Sequence, residues 1–128
     1  MLANSKALNG FAVDDLDRAR EFYGDTLGLE IEVLDEENGL LTLHLAGDRD
    51  TLVYLSPEMT PPSYTILNFT VDDIDAAVDE LSARGVSLEQ YGNPDMPQDE
   101  KGVMREGGPL IAWFKDPAGN TLSVLQER

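Results

Sequence analysis

Leu8-Asn9-Gly10-Phe11-Ala12-Val13-Asp14-Asp15-Leu16-Asp17 is answered 58 positions later by Ile66-Leu67-Asn68-Phe69-Thr70-Val71-Asp72-Asp73-Ile74-Asp75. Phe, Val and three Asp coincide, Leu stands against Ile twice, and Ala19 stands against Ala77 beyond the quoted stretch. Two copies in 128 residues indicate an internal pseudo-symmetry, because a solenoid needs at least three stacked units. Each copy starts with the two-residue alternation of a half-buried strand and then changes to helical spacing. Leu16, Ala19, Phe22, Tyr23 and Leu27 form one apolar face, and Ile74, Ala77, Val78 and Leu81 form the other.

Asp14 or Asp15, and Asp72 or Asp73, suit helix N-caps, since a carboxylate accepts from the free amides of a first turn. Gly28 and Gly85 suit the left-handed residue that ends a helix. Short strand patterns follow each helix: 30–34, 40–45 and 51–55, then 87–91, 110–115 and 121–126. Gly47-Asp48-Arg49-Asp50 and Asp116-Pro117-Ala118-Gly119-Asn120 supply turns. The expectation is an α+β chain of two βαβββ repeats, one over about residues 5–56 and the other over about 64–127. The Pro-rich stretch 57–63 links them. The polar stretch 91–108 is longer than a loop without a role usually is, which makes it a candidate lid.

Twenty-five acidic residues against nine basic ones give a net charge of −16. Such a field repels phosphate backbones and attracts cations, so nucleic acid is not expected as a partner. Acidity that serves solubility alone is the competing explanation. No apolar run approaches the ~18 residues of a membrane span, and the first residues lack the pattern of a secretory signal, so the expectation is cytoplasmic. The absence of cysteine removes disulfides and thiolate chemistry.

Val13-Asp14-Asp15-Leu16, Glu21-Phe22-Tyr23-Gly24-Asp25-Thr26-Leu27-Gly28-Leu29 and Ala112-Trp113-Phe114-Lys115-Asp116-Pro117-Ala118-Gly119-Asn120-Thr121-Leu122 together resemble the glyoxalase / bleomycin resistance / extradiol dioxygenase superfamily, the vicinal oxygen chelate proteins. The resemblance implies two curled mixed sheets around a pocket. It also implies, in metal-dependent members, one ligand in the first and one in the last strand of each half. Family patterns of the form H-x-x-Φ-x-V-x-D and DP-x-GN-x-x-E place those ligands at Leu8, Ile66 and Ser123, and the fourth falls at Val53 when 121–125 is laid over 51–55. None is a useful ligand for a catalytic divalent ion. The resemblance therefore implies a member without metal or cofactor, a small-molecule binder of the bleomycin-resistance type associated with antibiotic resistance, usually a homodimer. A lyase, isomerase or dioxygenase of the same superfamily is the alternative.

Strand alternation then proposes a lining for the ligand pocket: Leu8, Gly10, Ala12, Leu43, Val53, Ile66, Asn68, Thr70, Trp113 and Ser123, with Phe11, Val13, Phe69 and Val71 beneath the helices. The same apolar residues could equally fill the curled sheets as core. Trp113, the only tryptophan, would stand opposite Ser123 and offer an aromatic plate to a cationic or aromatic ligand. Tyr64, Tyr91 and Arg105 are candidate rim contacts. If Leu41, Leu43 and Leu45 line the pocket, His44, the only histidine, points away from it.

Overall fold

In a computed structural model, which describes residues 1–127, the chain divides into two compact units: Met1–Thr60 and a second beginning at Pro61. The first unit carries β1 (Asn9–Val13), α1 (Leu16–Arg20), β2 (Glu30–Asp35), β3 (Leu40–Leu45) and β4 (Arg49–Leu55). The second carries β5 (Thr65–Thr70), α2 (Ile74–Ala83), β6 (Leu110–Lys115) and β7 (Thr121–Gln126). β1 lies parallel to β4 in a four-stranded sheet of order β1-β4-β3-β2, and β5 lies parallel to β7 in a three-stranded sheet of order β5-β7-β6. The fold is therefore mixed α+β, with a split parallel pair in each sheet and antiparallel hairpins beside it. None of the described helices is long and apolar enough to cross a membrane.

The caps fall on the second aspartate of each pair. Asp15 accepts from the Arg18 amide at 3.0 Å, and Asp73 accepts from the Ala76 amide at 3.1 Å. α2 ends with Gly85 at φ 86° and amide bonds from Val86 to the Leu81 carbonyl (2.9 Å) and from Gly85 to Ser82 (3.1 Å), which satisfy carbonyls the helix leaves open. α1 instead widens into a π-type turn over Glu21–Thr26, with the Leu27 amide donating to the Phe22 carbonyl at 2.9 Å. This widening brings Gly24 onto Ile31 of β2, where an added Cβ would lie 3.1 Å from the isoleucine methyl.

Burial follows the pleat. In the first unit Phe11 and Val13 of β1, Leu41 and Leu43 of β3, and Thr51 and Val53 of β4 are buried on the face toward α1, where Phe11 meets Tyr23 with ring centroids 5.5 Å apart. In the second, Leu67, Ala112, Phe114, Leu122 and Val124 pack with Ile74, Val78 and Leu81 of α2. Removing that many apolar side chains from water, at ~25 cal/mol per Å2, is what holds each sheet to its helix.

Two expectations change. The strand over 87–91 shrinks to a bridge between Leu88 and Phe114, with the Glu89 amide donating to the Trp113 carbonyl at 2.8 Å. Pairing stops there because the Tyr91 amide is taken by the Gln98 side chain (2.9 Å). The stretch 91–108 is also not a free lid. Gln98 bridges the Glu89 and Gly102 carbonyls, Met104 pairs with Ile111, and Arg105 joins Asp99 at 2.9 Å to Asp75 of α2 at 2.6 Å, while Lys101 reaches Asp79 at 3.0 Å. The segment is strapped to the helix.

The Asp116–Asn120 turn shows why its sequence reads as a signature. The Asp116 carboxylate, largely buried, accepts from the Ala118 amide (3.0 Å), the Asn120 amide (2.9 Å) and the Asn120 side chain (3.0 Å). Gly119 sits at φ 93° with Pro61 against it, so both its backbone and its missing side chain are required.

Candidate functional site

Residues directly opposite on neighbouring strands project from the same face of a sheet, so register assigns every strand residue to a face. In the second unit β5-β7-β6 places Asn68 beside Ser123 and Ser123 beside Trp113. These three form a row across the face turned away from α2, and Thr70, with Leu125 and Ile111, forms the next row. Tyr91, from the strap, extends the first row: its ring meets Trp113 edge to face at 5.6 Å between centroids. Thr70 also borders a depression of about 400 Å3 with Val71, Asp72, Gln126 and Glu127.

The chemistry of the row is fixed by one bond. Ser123 is fully buried, and its hydroxyl donates to the Asn68 amide oxygen at 2.5 Å. An amide oxygen is no base, so this hydroxyl is not activated as a nucleophile. Glu89, on the same side of the sheet, is engaged by Lys115 at 3.7 Å. Tyr91 has its phenol pKa raised, by burial first and by the neighbouring Glu89 charge second, so it stays protonated at neutral pH. The row can recognise and stack; it holds no general base.

In the first unit the equivalent row reads Gly10, Leu52, Thr42. The ten expected lining residues therefore do not share one surface. Gly10 and Ala12 lie on the face away from α1, but Val53 and Leu43 pair with Phe11 and Thr51 on the helix-covered face and belong to the core. The counterpart of Ser123 is Leu52, one residue before the expected Val53, because the hairpin turn of the first unit is shorter and a one-residue slip reverses every side chain. Leu8 precedes β1 and is 58% exposed. Ile66 is the extra residue of a bulge, between the Thr65–Thr121 and Leu67–Leu122 pairs. Tyr64 is exposed, and Arg105 serves the strap.

His44 corrects its expectation for the same reason. The leucines of β3 that were to line a pocket, Leu41 and Leu43, face the helix, so His44 lies with Gly10 and Ala12 on the opposite face. Its Nδ1 meets Asp50 at 2.7 Å and its Nε2 meets Glu32 at 3.2 Å. Two carboxylate acceptors on the two ring nitrogens favour the imidazolium, and the pKa is raised by Asp50 first and Glu32 second. Alternation alone had the signal for this: an apolar-polar strand whose leucines must cover a helix leaves its histidine outside.

A family model described as the Glyoxalase/Bleomycin resistance protein/Dioxygenase superfamily matches residues 7–124. The chain belongs to this superfamily. An uncharacterized Bacillus subtilis (strain 168) protein, YraH, is 31% identical over 127 residues, covering 89% of this chain and 91% of its own length. The crystal structure of TnmS3, an antibiotic binding protein from Streptomyces sp. CB03234, superimposes with a TM-score of 0.69 at 26% identity, covering 98% of both chains. The Listeria monocytogenes fosfomycin resistance protein FosX shares the superfamily fold, with a TM-score of 0.72 over 98% of this chain and 92% of its own at 13% identity.

The superfamily's metal ligands were expected at Leu8, Ile66, Ser123 and Val53, the last now replaced by Leu52. Three are hydrocarbon and the fourth is a hydroxyl already bonded to Asn68. His44 does not supply a substitute centre, because its two carboxylates sit at opposite ring nitrogens. Among the described residues no three of His, Cys, Asp and Glu converge where an ion could be held. The side chains at these positions do not fit a divalent metal.

Proposed function

We propose that this superfamily member binds an aromatic small molecule without transforming it, on the α2-distal face of the second unit, and does so without a metal. The observation that carries the reading is the Trp113–Ser123–Asn68 row: an aromatic plate beside polar groups, with a hydroxyl bonded to a neutral amide and no activating base. Likeness to an antibiotic binding protein over 98% of the chain supports sequestration of a drug or metabolite as the purpose. Thr70 and Ile66 remain part of the proposal as flank around that ligand. The net charge of −16 favours ligands that are not anionic.

The protein acts in the cytoplasm in this reading, as one domain built from two repeats and as a homodimer. Exposed Leu34, Tyr54, Leu55 and Tyr64 provide apolar surface that a second copy would cover. Light scattering coupled to gel filtration should give twice the chain mass of 14.1 kDa. Titrating the intrinsic fluorescence of Trp113 with a panel of aromatic antibiotics and metabolites should give a saturable change for at least one, with the ligand recovered unaltered. Recovery of a converted product, or stoichiometric nickel, zinc, iron or manganese in the purified protein, would contradict the proposal.

A further inference from the structure

The proposed site presents hydrogen-bond donors, and this sets the chemistry of what it takes. Ser123 is fully buried and its hydroxyl donates to Asn68 Oδ1 at 2.5 Å. Flipping the amide would put Nδ2 against the hydroxyl and leave the buried hydroxyl proton without an acceptor, so Oδ1 must face Ser123. The two N–H groups of Nδ2 are then turned outward from an exposed side chain, with no protein acceptor among the described residues. On the far side of Ser123 the Trp113 residue is only 8% exposed, and its indole N–H, which can only donate, also meets no protein acceptor among the described residues. Two donors with no protein acceptor among the described residues, both within reach of water, therefore flank one buried hydroxyl from the strands on either side of β7, each ~5 Å from it. The carboxylate on this side, Glu89, is occupied by Lys115 at 3.7 Å.

The geometry points to an aromatic ligand that carries a neutral carbonyl acceptor, its ring against Trp113 and Tyr91 and its oxygen on the Asn68 amide. This rests on the aromatic-binding reading above and narrows it. A carboxylate would satisfy the same donors, but the −16 charge opposes an anion, whereas a ketone or carboxamide meets no such penalty. An ammonium group attracted by the overall field would meet donors here instead of acceptors. The overall field disfavours anions, and between neutral and cationic groups the local donors decide, because only an acceptor can satisfy them.

Isothermal titration of the full chain with 2-naphthamide and with 2-naphthylmethylamine separates the two. The amide should bind roughly tenfold tighter than the amine, the effect of one satisfied against one unsatisfied hydrogen bond. Asn68→Asp keeps an acceptor for Ser123 but replaces the outward donors with a carboxylate oxygen, and should reverse the order. Asn68→Ala should erase the preference. An amide preference unchanged in both variants, or an amine preference in the wild-type chain, overturns the donor assignment while leaving aromatic binding intact. No measurable heat with either probe in the wild-type chain overturns the aromatic-binding reading itself, and this inference with it.

Discussion

The two units share a motif, a helix cap and a split parallel strand pair, yet their helix-distal faces differ. At equivalent register positions one reads Gly10, Leu52, Thr42 and the other Asn68, Ser123, Trp113. The first unit keeps its titratable groups elsewhere on that face, where His44 bridges Asp50 and Glu32. The second keeps its charges off the row and spends them on the strap, where Arg105 and Lys101 tie 99–105 to α2. Duplication has conserved what the helix-facing side needs for packing and allowed the other side to diverge, so pseudo-symmetry of fold is no guide to symmetry of site.

The sharpest break of this comparison comes at its aromatic position. Trp113→Ala should cost about 3–5 kcal/mol, as truncation of a large buried side chain does, and abolish aromatic binding. Thr42→Ala at the equivalent position of the first unit should cost no more than about 1–2 kcal/mol and leave binding unchanged. Urea denaturation followed by circular dichroism measures both costs, and Trp113→Phe keeps the fold available for a calorimetric binding titration.

Glycines in the two hairpin turns come next. Gly119→Ala should destabilise by about 1–3 kcal/mol, because φ 93° is strained for alanine and its Cβ would approach Pro61 at 3.1 Å. Gly47→Ala, at φ 84° with nothing near the new methyl, should cost about 1 kcal/mol. Equal melting-temperature shifts would remove the contribution assigned to Pro61.

Weaker again is the strap. Arg105→Gln removes the bonds to Asp75 and Asp99 and should raise the rate of limited proteolysis within 92–108, while cleavage in the first unit stays as it was. An unchanged digestion pattern would mean that the glutamine and backbone bonds hold the strap alone.

The smallest effects should be the pH dependences, and they run in opposite directions. His44 has a raised pKa, so its bridge contributes fully below the ordinary value of 6.5 and is lost as pH rises through the folded-state value. Asp75 is held low chiefly by its hydrogen bond from Arg105. Asp99 is also low: partial burial opposes ionisation, but bonds from the Val103 amide and Arg105 outweigh it. Their contribution is present above the ordinary value of 3.8 and is lost as pH falls through the folded-state values. The stability gap between the wild-type chain and His44→Gln should therefore close on going from pH 6 to pH 9, and that for Arg105→Gln should close in acid. Chemical denaturation across pH checks both signs.

Most of the architecture was legible in the sequence, because the signals were local. Repeated Asp caps, Gly85 after α2 and Asp116 to Asn120 between two alternating runs each force a specific turn. Faces were less legible. The pairing of Trp113 with Ser123 came out as expected because the second hairpin register follows from its own turn. Val53 did not, since it was placed by overlaying two hairpins whose turns differ in length. His44 was misplaced by assigning the Leu41 and Leu43 face to a pocket when α1 covers it. The strap over 91–108 could not be read at all: its order comes from pairs such as Arg105 with Asp75, thirty residues apart, which no periodicity announces.

Metal-independent aromatic binding by the second unit is the central claim, and one titration tests it most directly. The fluorescence of Trp113 is followed as the strongest ligand from the antibiotic and metabolite panel is added to protein before and after exhaustive dialysis against a chelator. The account predicts the same saturable change and the same affinity in both, with one ligand per chain. Loss of binding after chelation, restored by a divalent ion, would contradict it.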